Sequence, residues 1–148
     1  DRAWLAQLRF TQMVPALGAA LVHATLDMPE QWRYVHDGLA ASAHFNYQVT
    51  RLCFVGHTHR QAAYEKTRNV NSLRGDVIHI RLGAKYLVSP GSVGQPRDGD
   101  PRAAFATFSP DENVVRLHRT SYDVAAAQAR NREAGLTGGT TDRLAQGI

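Results

Sequence analysis

Three histidines in the sequence are placed where their side chains could bind a metal ion. His23 follows the short apolar run 19–22, and His57 and His59 follow the apolar run 52–55 and Gly56. Since ligands of open α/β sheets gather at the carboxyl ends of the strands, we expect the three imidazoles to share one crevice. A crevice about 4 to 7 Å across would suit two neighbouring metal ions.

The histidine spacing also has a purely structural interpretation. The chain has seven histidines in 148 residues, so a His-x-His pair arises by chance about 0.3 times in such a sequence. His57 and His59 could cap a turn by hydrogen bonding, and His23 could be a satisfied core side chain. Spacing alone leaves both interpretations open.

The elements that must position these histidines are predicted from apolar periodicity. The first half should contain a short amphipathic helix over 3–9, a strand over 19–22, a helix over 30–45 and a buried strand over 51–55. Asp27 is the expected N-cap of the longer helix and Pro29 lies in its first turn. The helix should pack on a sheet, because apolar residues recur in it at helical spacing, at Trp32, Val35, Leu39 and Ala43. Trp32 and Tyr34 are then interpreted as core and surface packing of this helix, and not as a platform for a nucleobase.

The second half is predicted to be mostly antiparallel β-structure. Short alternating runs between turn residues predict strands over 61–65, 77–82, 85–88, 103–108 and 114–118. An alanine-rich helix should follow over 122–134 and end at Gly135. We expect residues 1–135 to form part of a single domain and residues 136–148 to be a mobile tail.

Three segments together resemble the calcineurin-like metallophosphoesterases. They are Leu21-Val22-His23, the run from Phe54 to His59 with its Gly-His-Thr-His sequence, and the loop from Ser89 to Arg102 with its Pro-Gly-Ser-Val-Gly-Gln-Pro-Arg-Asp-Gly sequence. Residues 122–125 and 132–136 resemble the closing helix of a bacterial branch of that family. The resemblance implies an α/β fold. In it, this chain would supply the second half of a four-layer α-β-β-α sandwich with mixed, largely antiparallel strands.

The resemblance also implies a chemistry. Two divalent metal ions, for which manganese, iron, zinc and nickel are candidates, would lie a few Å apart. His23 and His57 would bind one ion and His59 the other. Metal-activated hydroxide would hydrolyse a phosphate mono- or diester of unknown class, and the implied alternative is a non-catalytic protein-binding scaffold of the same fold.

The chain departs from the family pattern in three ways. Ala24 stands where glycine usually follows the first histidine, and Ser89 stands where asparagine is common. The Asp-x-His, Gly-Asp and Gly-Asn-His motifs that precede these elements in the family are absent. Asp76 and Asp100 do not replace them, because neither follows an apolar strand. We therefore expect a C-terminal portion with no catalytic residue of its own, inactive alone.

Arg97, in the glycine-rich loop 90–102, is the candidate substrate-binding residue. Its guanidinium could bind two phosphoryl oxygens at once. In the alternative interpretation the loop only closes the sandwich, and Arg97 pairs with Asp98 or Asp100. The other histidines are interpreted as surface or packing residues; these are His36, His44, His79 and His118.

Composition limits the partners. The net charge is +4, but the basic residues are scattered, so no nucleic-acid partner is expected. No apolar run is long enough for a membrane span. The single cysteine, Cys53, lies within a buried strand and indicates a reduced, cytoplasmic setting. Without a preceding half-domain, the edge of strand 52–55 would be exposed, which predicts self-association.

Overall fold

The chain folds into two β-sheets and one well-packed helix, in a computed structural model that describes all residues, Asp1–Ile148. Its strands are β1 (Thr11–Val14), β2 (Ala19–Val22), β3 (Leu52–Val55), β4 (Gln61–Lys66), β5 (Val70–Leu73), β6 (Val77–His79), β7 (Lys85–Pro90), β8 (Ala103–Ser109) and β9 (Val114–Thr120). Its helices are α1 (Arg2–Ala6), α2 (Gly38–Tyr47), α3 (Val124–Glu133) and α4 (Gly139–Asp142). No helix has both the length and the apolar character required to cross a membrane.

The larger sheet has the strand order β1-β2-β3-β7-β4-β5, and the smaller sheet has the order β6-β9-β8. Strand β3 runs parallel to β2 and to β7, whereas all other neighbouring pairs are antiparallel. The predicted α/β class with mixed, largely antiparallel strands is confirmed. The register Val22↔Val55 places the ends of β2 and β3 side by side.

Two apolar clusters cover the larger sheet on its two faces. On one face, Ala41 and Phe45 of α2 pack on Val22, Cys53 and Leu87. The other face packs on the smaller sheet. The side chains of this second cluster include Ala19, Leu52, Tyr86 and Val88 from the larger sheet and Ile78 and Val115 from the smaller one. Strand β3 is therefore buried on both faces, as its unbroken apolar run predicted.

The long helix begins later than predicted. Residues 30–45 were expected to be helical, but Pro29–Gln31 form a separate 3₁₀ turn and α2 begins at Gly38. The N-cap is Asp37, whose carboxylate accepts a hydrogen bond from the Ala40 amide at 2.8 Å. Asp27 is thus not the cap. Trp32 and Tyr34 lie outside any helix, so their predicted packing on the helix is wrong.

Two further expectations change with the structure. The edges of β3 are both paired, because the strand lies between β2 and β7, so the edge predicted to be exposed is not free. The mobility of residues 136–148 stays a prediction. In the structure this segment forms two helical turns, with Thr141 and Leu144 buried.

Candidate functional site

His23 and His57 meet at the carboxyl end of the parallel strands. Their ring centroids are 5.2 Å apart, and the Gly56 amide donates a hydrogen bond to the His23 carbonyl at 2.9 Å. This proximity follows from the register, since each histidine comes just after the end of one of two paired parallel strands. Two of the three predicted histidines therefore lie together at this edge.

His59 joins the same edge through a strained turn. The backbone of His57 has φ 65° and that of His59 has φ 58°. Such left-handed conformations cost non-glycine residues about 1–3 kcal/mol and cluster at functional sites. The charge of His59 contributes to the lowered pKa of both His23 and His57.

A hydrogen bond fixes the orientation of the His59 ring. His59 Nδ1 lies 2.7 Å from the carbonyl oxygen of Gln95. Since a carbonyl can only accept, Nδ1 carries the proton and Nε2 keeps its lone pair. Metal-binding histidines characteristically donate one ring N–H to such a partner, so this arrangement suits imidazole ligands. The Trp32 backbone acts on the His57 ring and raises its pKa, against the effect of burial.

The local environment favours neutral imidazoles. Partial burial and then the charge of His59 lower the pKa of His23. Burial lowers the pKa of His57, and so do the charges of His23, His59 and Arg97. The Trp32 backbone has the opposite effect and raises this pKa. Neutral rings are the form that binds a metal ion. Even so, no group of three or more His, Cys, Asp or Glu side chains is arranged so that it could hold a metal ion.

Hydrogen bonds join the end of β7 and the loop that follows it to residues 59–60. The Arg97 amide donates to the His59 carbonyl at 2.9 Å, and the buried Ser89 hydroxyl donates to the Arg60 carbonyl at 2.7 Å. Gly91 allows the start of the loop to lie close to Ala104 and Gln61. Its φ is +85°, and an added Cβ would lie 2.7 Å from the Ala104 Cβ.

The side chain of Arg97 carries no ion pair. Its guanidinium bonds to the amide oxygen of Gln95 at 2.8 and 3.1 Å. Asp98 is paired with Arg119, and Asp100 with Arg102 at 2.6 Å. The alternative in which Arg97 pairs with Asp98 or Asp100 is therefore wrong. Its charge acts on His57 instead.

Two aromatic residues that were placed elsewhere by the sequence lie at this site. The Trp32 ring is 5.2 Å from His23 and 5.6 Å from His57. Tyr34 stacks on His57 at 4.1 Å with an interplanar angle of 9°. The sequence signal that could have located them is Asp37-Gly38, a second N-cap candidate that leaves residues 32–36 free of the helix.

His44 supports the segment that follows His23. It is buried on α2, and its Nδ1 accepts a hydrogen bond from the Leu26 amide at 3.2 Å. His44 is therefore a packing residue, as predicted. Its hydrogen bond to the Leu26 amide also holds the segment that follows His23. The His36 ring stacks on that of Tyr34, with centroids 4.9 Å apart. In the smaller sheet, His118 Nε2 is hydrogen-bonded to the Thr107 hydroxyl at 2.8 Å. His79 is exposed on β6.

Comparison with known proteins supports the interpretation of the fold. No protein-family model matches the sequence. The chain is 35% identical over 105 residues to the uncharacterized protein MJ0912 of Methanocaldococcus jannaschii, an alignment that covers 71% of this chain and 42% of that protein. The hypothetical protein PH1004 of Pyrococcus horikoshii has a similar fold at 16% identity, with TM-score 0.73, covering 99% of this chain and 54% of that one.

A second solved structure is closer in sequence. It is a metallophosphoesterase from Sphaerobacter thermophilus, 35% identical, with TM-score 0.84. The match covers 99% of this chain and 60% of that one. The chain thus spans about half the length of the proteins it resembles. Across that span it has a metallophosphoesterase fold.

Proposed function

We propose that this chain supplies the histidine part of a dinuclear metal centre that hydrolyses phosphate mono- or diesters. One observation carries the proposal. The ring centroids of His23 and His57 lie 5.2 Å apart, at the carboxyl ends of parallel strands in a metallophosphoesterase fold. His23 and His57 would bind one divalent ion and His59 the other. The intact histidine set does not favour the alternative of a non-catalytic protein-binding scaffold.

The residues of the chain would hold and orient the reactants. His59, with its Nδ1 proton engaged by Gln95, would present Nε2 to a metal ion. The charge of Arg97 contributes to the lowered pKa of His57, and Arg97 would bind a phosphoryl oxygen through its guanidinium fork. A metal pair, when bound, lowers the pKa of a water molecule so that hydroxide is available near neutral pH.

The proposal includes a requirement for carboxylates. Three neutral imidazoles leave two divalent charges uncompensated, so metal binding by the chain alone should be weak. The proteins it resembles are longer. We propose that a polypeptide extended to their full length contributes the acidic ligands, and that manganese supports its activity.

The test compares the 148-residue chain with a longer polypeptide that includes such an upstream half. The chain alone is expected to show negligible hydrolysis of an aryl phosphodiester with manganese, and the longer form to be active. His59→Ala should abolish that activity, whereas His79→Ala, at an exposed position on β6, is the matched control. Robust turnover by the chain alone, lost on His59→Ala, would show that carboxylates are not required.

A further inference from the structure

An exposed aromatic surface lies at the rim of the histidine crevice. It consists of Phe10, Trp32 and Tyr34, and 48% of Trp32 is exposed to solvent. The Phe10 and Trp32 rings are in edge contact, with centroids 6.1 Å apart. A large aromatic ring left in water beside a polar crevice forgoes the stabilisation that burial gives. A role in binding would account for its position.

Trp32 and Tyr34 differ in what their ring faces contact. Tyr34 is stacked on His57 and on His36, nearly parallel to both. Trp32 meets its neighbours only at steep angles, 62° with His23, 58° with His57 and 76° with Phe10. No aromatic ring of the chain stacks face to face on Trp32, so its indole is available for a planar ligand.

The backbone holds Trp32 in this position. The residue follows the 3₁₀ turn Pro29–Gln31 and adopts φ 54°, a left-handed conformation that is uncommon for an aromatic residue. The Trp32 ring also lies 5.6 Å from the ring of His57. The indole is therefore next to a proposed metal ligand.

We propose that Trp32 is a stacking platform for the planar aromatic group of a phosphate ester whose phosphoryl group is bound at His57 and Arg97. This inference rests on the proposed function and narrows its substrate class to esters of nucleosides or of phenols. Base–aromatic stacking tolerates every base, because each presents a π-face. Selectivity for a planar group over a bare sugar or alkyl group should follow.

The experiment measures ligand binding by calorimetry in the presence of manganese, so that it does not depend on turnover. Four probes are compared: adenosine 5′-monophosphate, ribose 5-phosphate, phenyl phosphate and ethyl phosphate. The aromatic member of each pair should bind about 5- to 150-fold more tightly, the range expected for stacking on one aromatic side chain. An advantage confined to the nucleotide pair assigns the site to nucleobases, and an advantage in both pairs assigns it to aryl groups in general.

Variants connect the selectivity to the indole. Trp32→Leu should abolish the advantage, and Trp32→Phe should retain part of it. The chain has one other tryptophan, Trp4, so in a Trp4→Phe background the fluorescence of Trp32 should be quenched by the nucleotide but not by ribose 5-phosphate. Circular dichroism checks that each variant is folded.

Two results would overturn the platform, and they are distinguishable. Equal binding within both pairs, unchanged by Trp32→Leu, would show that phosphate binds without stacking; the proposed function would then survive alone. If none of the four phosphates binds to the chain or to the longer polypeptide, the phosphoryl site itself is absent. Both proposals then fail.

Discussion

The larger sheet is covered on both faces at one end and largely uncovered at the other. In β7, Leu87 and Val88 are fully buried between α2 and the smaller sheet. In β1 and β2, Met13 and Leu21 are 45% and 43% exposed. The crevice of His23 and His57 lies between these regions, at the ends of β2 and β3. One wall of the proposed site is thus well packed, and the other is incomplete.

The exposed end has a consistent apolar character. Leu21 pairs with Phe54 across the parallel strands, and Leu17, Phe54 and Phe108 line an open cavity of about 570 Å³ beside the free edge of β8. The helix α1 has no buried residue. We propose that the polypeptide by which the similar proteins exceed this chain covers this side.

The largest expected effect is a difference in stability between matched substitutions at the covered and the uncovered end of the larger sheet. Leu87→Ala should lower the free energy of unfolding by about 2–5 kcal/mol, because it leaves a cavity in a fully packed core. Leu21→Ala should lower it by less than about 1 kcal/mol, because this side chain is already 43% exposed. Urea denaturation measures both, and equal losses would contradict the difference in packing.

The packed wall should also respond to pH through His44. Burial lowers the pKa of His44 to about 4, although Asp27 and Gln48 oppose this shift. The unfolded chain takes up the proton first, so stability is lost as pH falls from the unfolded pKa near 6.5 to about 4, and the loss is constant below that. Its size is on the order of 3 kcal/mol.

A non-titrating variant isolates this contribution from that of the carboxylates. His44→Asn keeps an acceptor for the Leu26 amide, and its unfolding free energy should fall less than that of the wild type between pH 7 and pH 4. His36→Asn, at an exposed position, is the matched control. The same pH dependence in wild type and His44→Asn would show that the buried imidazole is protonated without cost.

Self-association is expected to use the exposed end. The prediction made from strand β3 no longer holds for that strand's edges, but β1 is a free edge and Leu21 lies on the uncovered face beside it. Leu21→Glu should weaken concentration-dependent association about tenfold or more, a change of about 1.4 kcal/mol. Leu82→Glu, at an exposed turn between β6 and β7, should leave it unchanged. A wild-type chain that is monomeric by light scattering at high concentration would refute the prediction.

The sequence predicted the buried strands and the histidine edge because both depend on local patterns. Apolar runs located β2 and β3, and their parallel pairing brought His23 and His57 together. Strand β5 was missed, since Asn71 and Ser72 at its centre are exposed and polar. Its structure depends on pairing with β4, which no local pattern shows.

The aromatic rim was missed for a different reason. Two N-cap candidates, Asp27 and Asp37, competed for the start of one helix, and helical spacing from Trp32 to Ala43 favoured the earlier one. Tertiary packing selected Asp37, which released Trp32 and Tyr34 to lie on the histidines. Likewise, the hydrogen bond of Arg97 to Gln95 could not be distinguished by sequence from an ion pair with Asp98 or Asp100.

The smallest expected effect tests the rotation of α2 about its axis. Helical spacing in the sequence placed Leu39 and Ala43 on the buried face, but Leu39 is 83% exposed, and the buried face is formed by Ala41, His44 and Phe45. Leu39→Ala should therefore change the free energy of unfolding by less than about 0.5 kcal/mol. Phe45→Ala, on the buried face, should cost about 3–5 kcal/mol. A loss above about 2 kcal/mol for Leu39→Ala would mean that the helix is rotated toward the phase predicted by the sequence. That rotation would move His44 away from Leu26, and the segment after His23 would then lose the hydrogen bond that holds it in place.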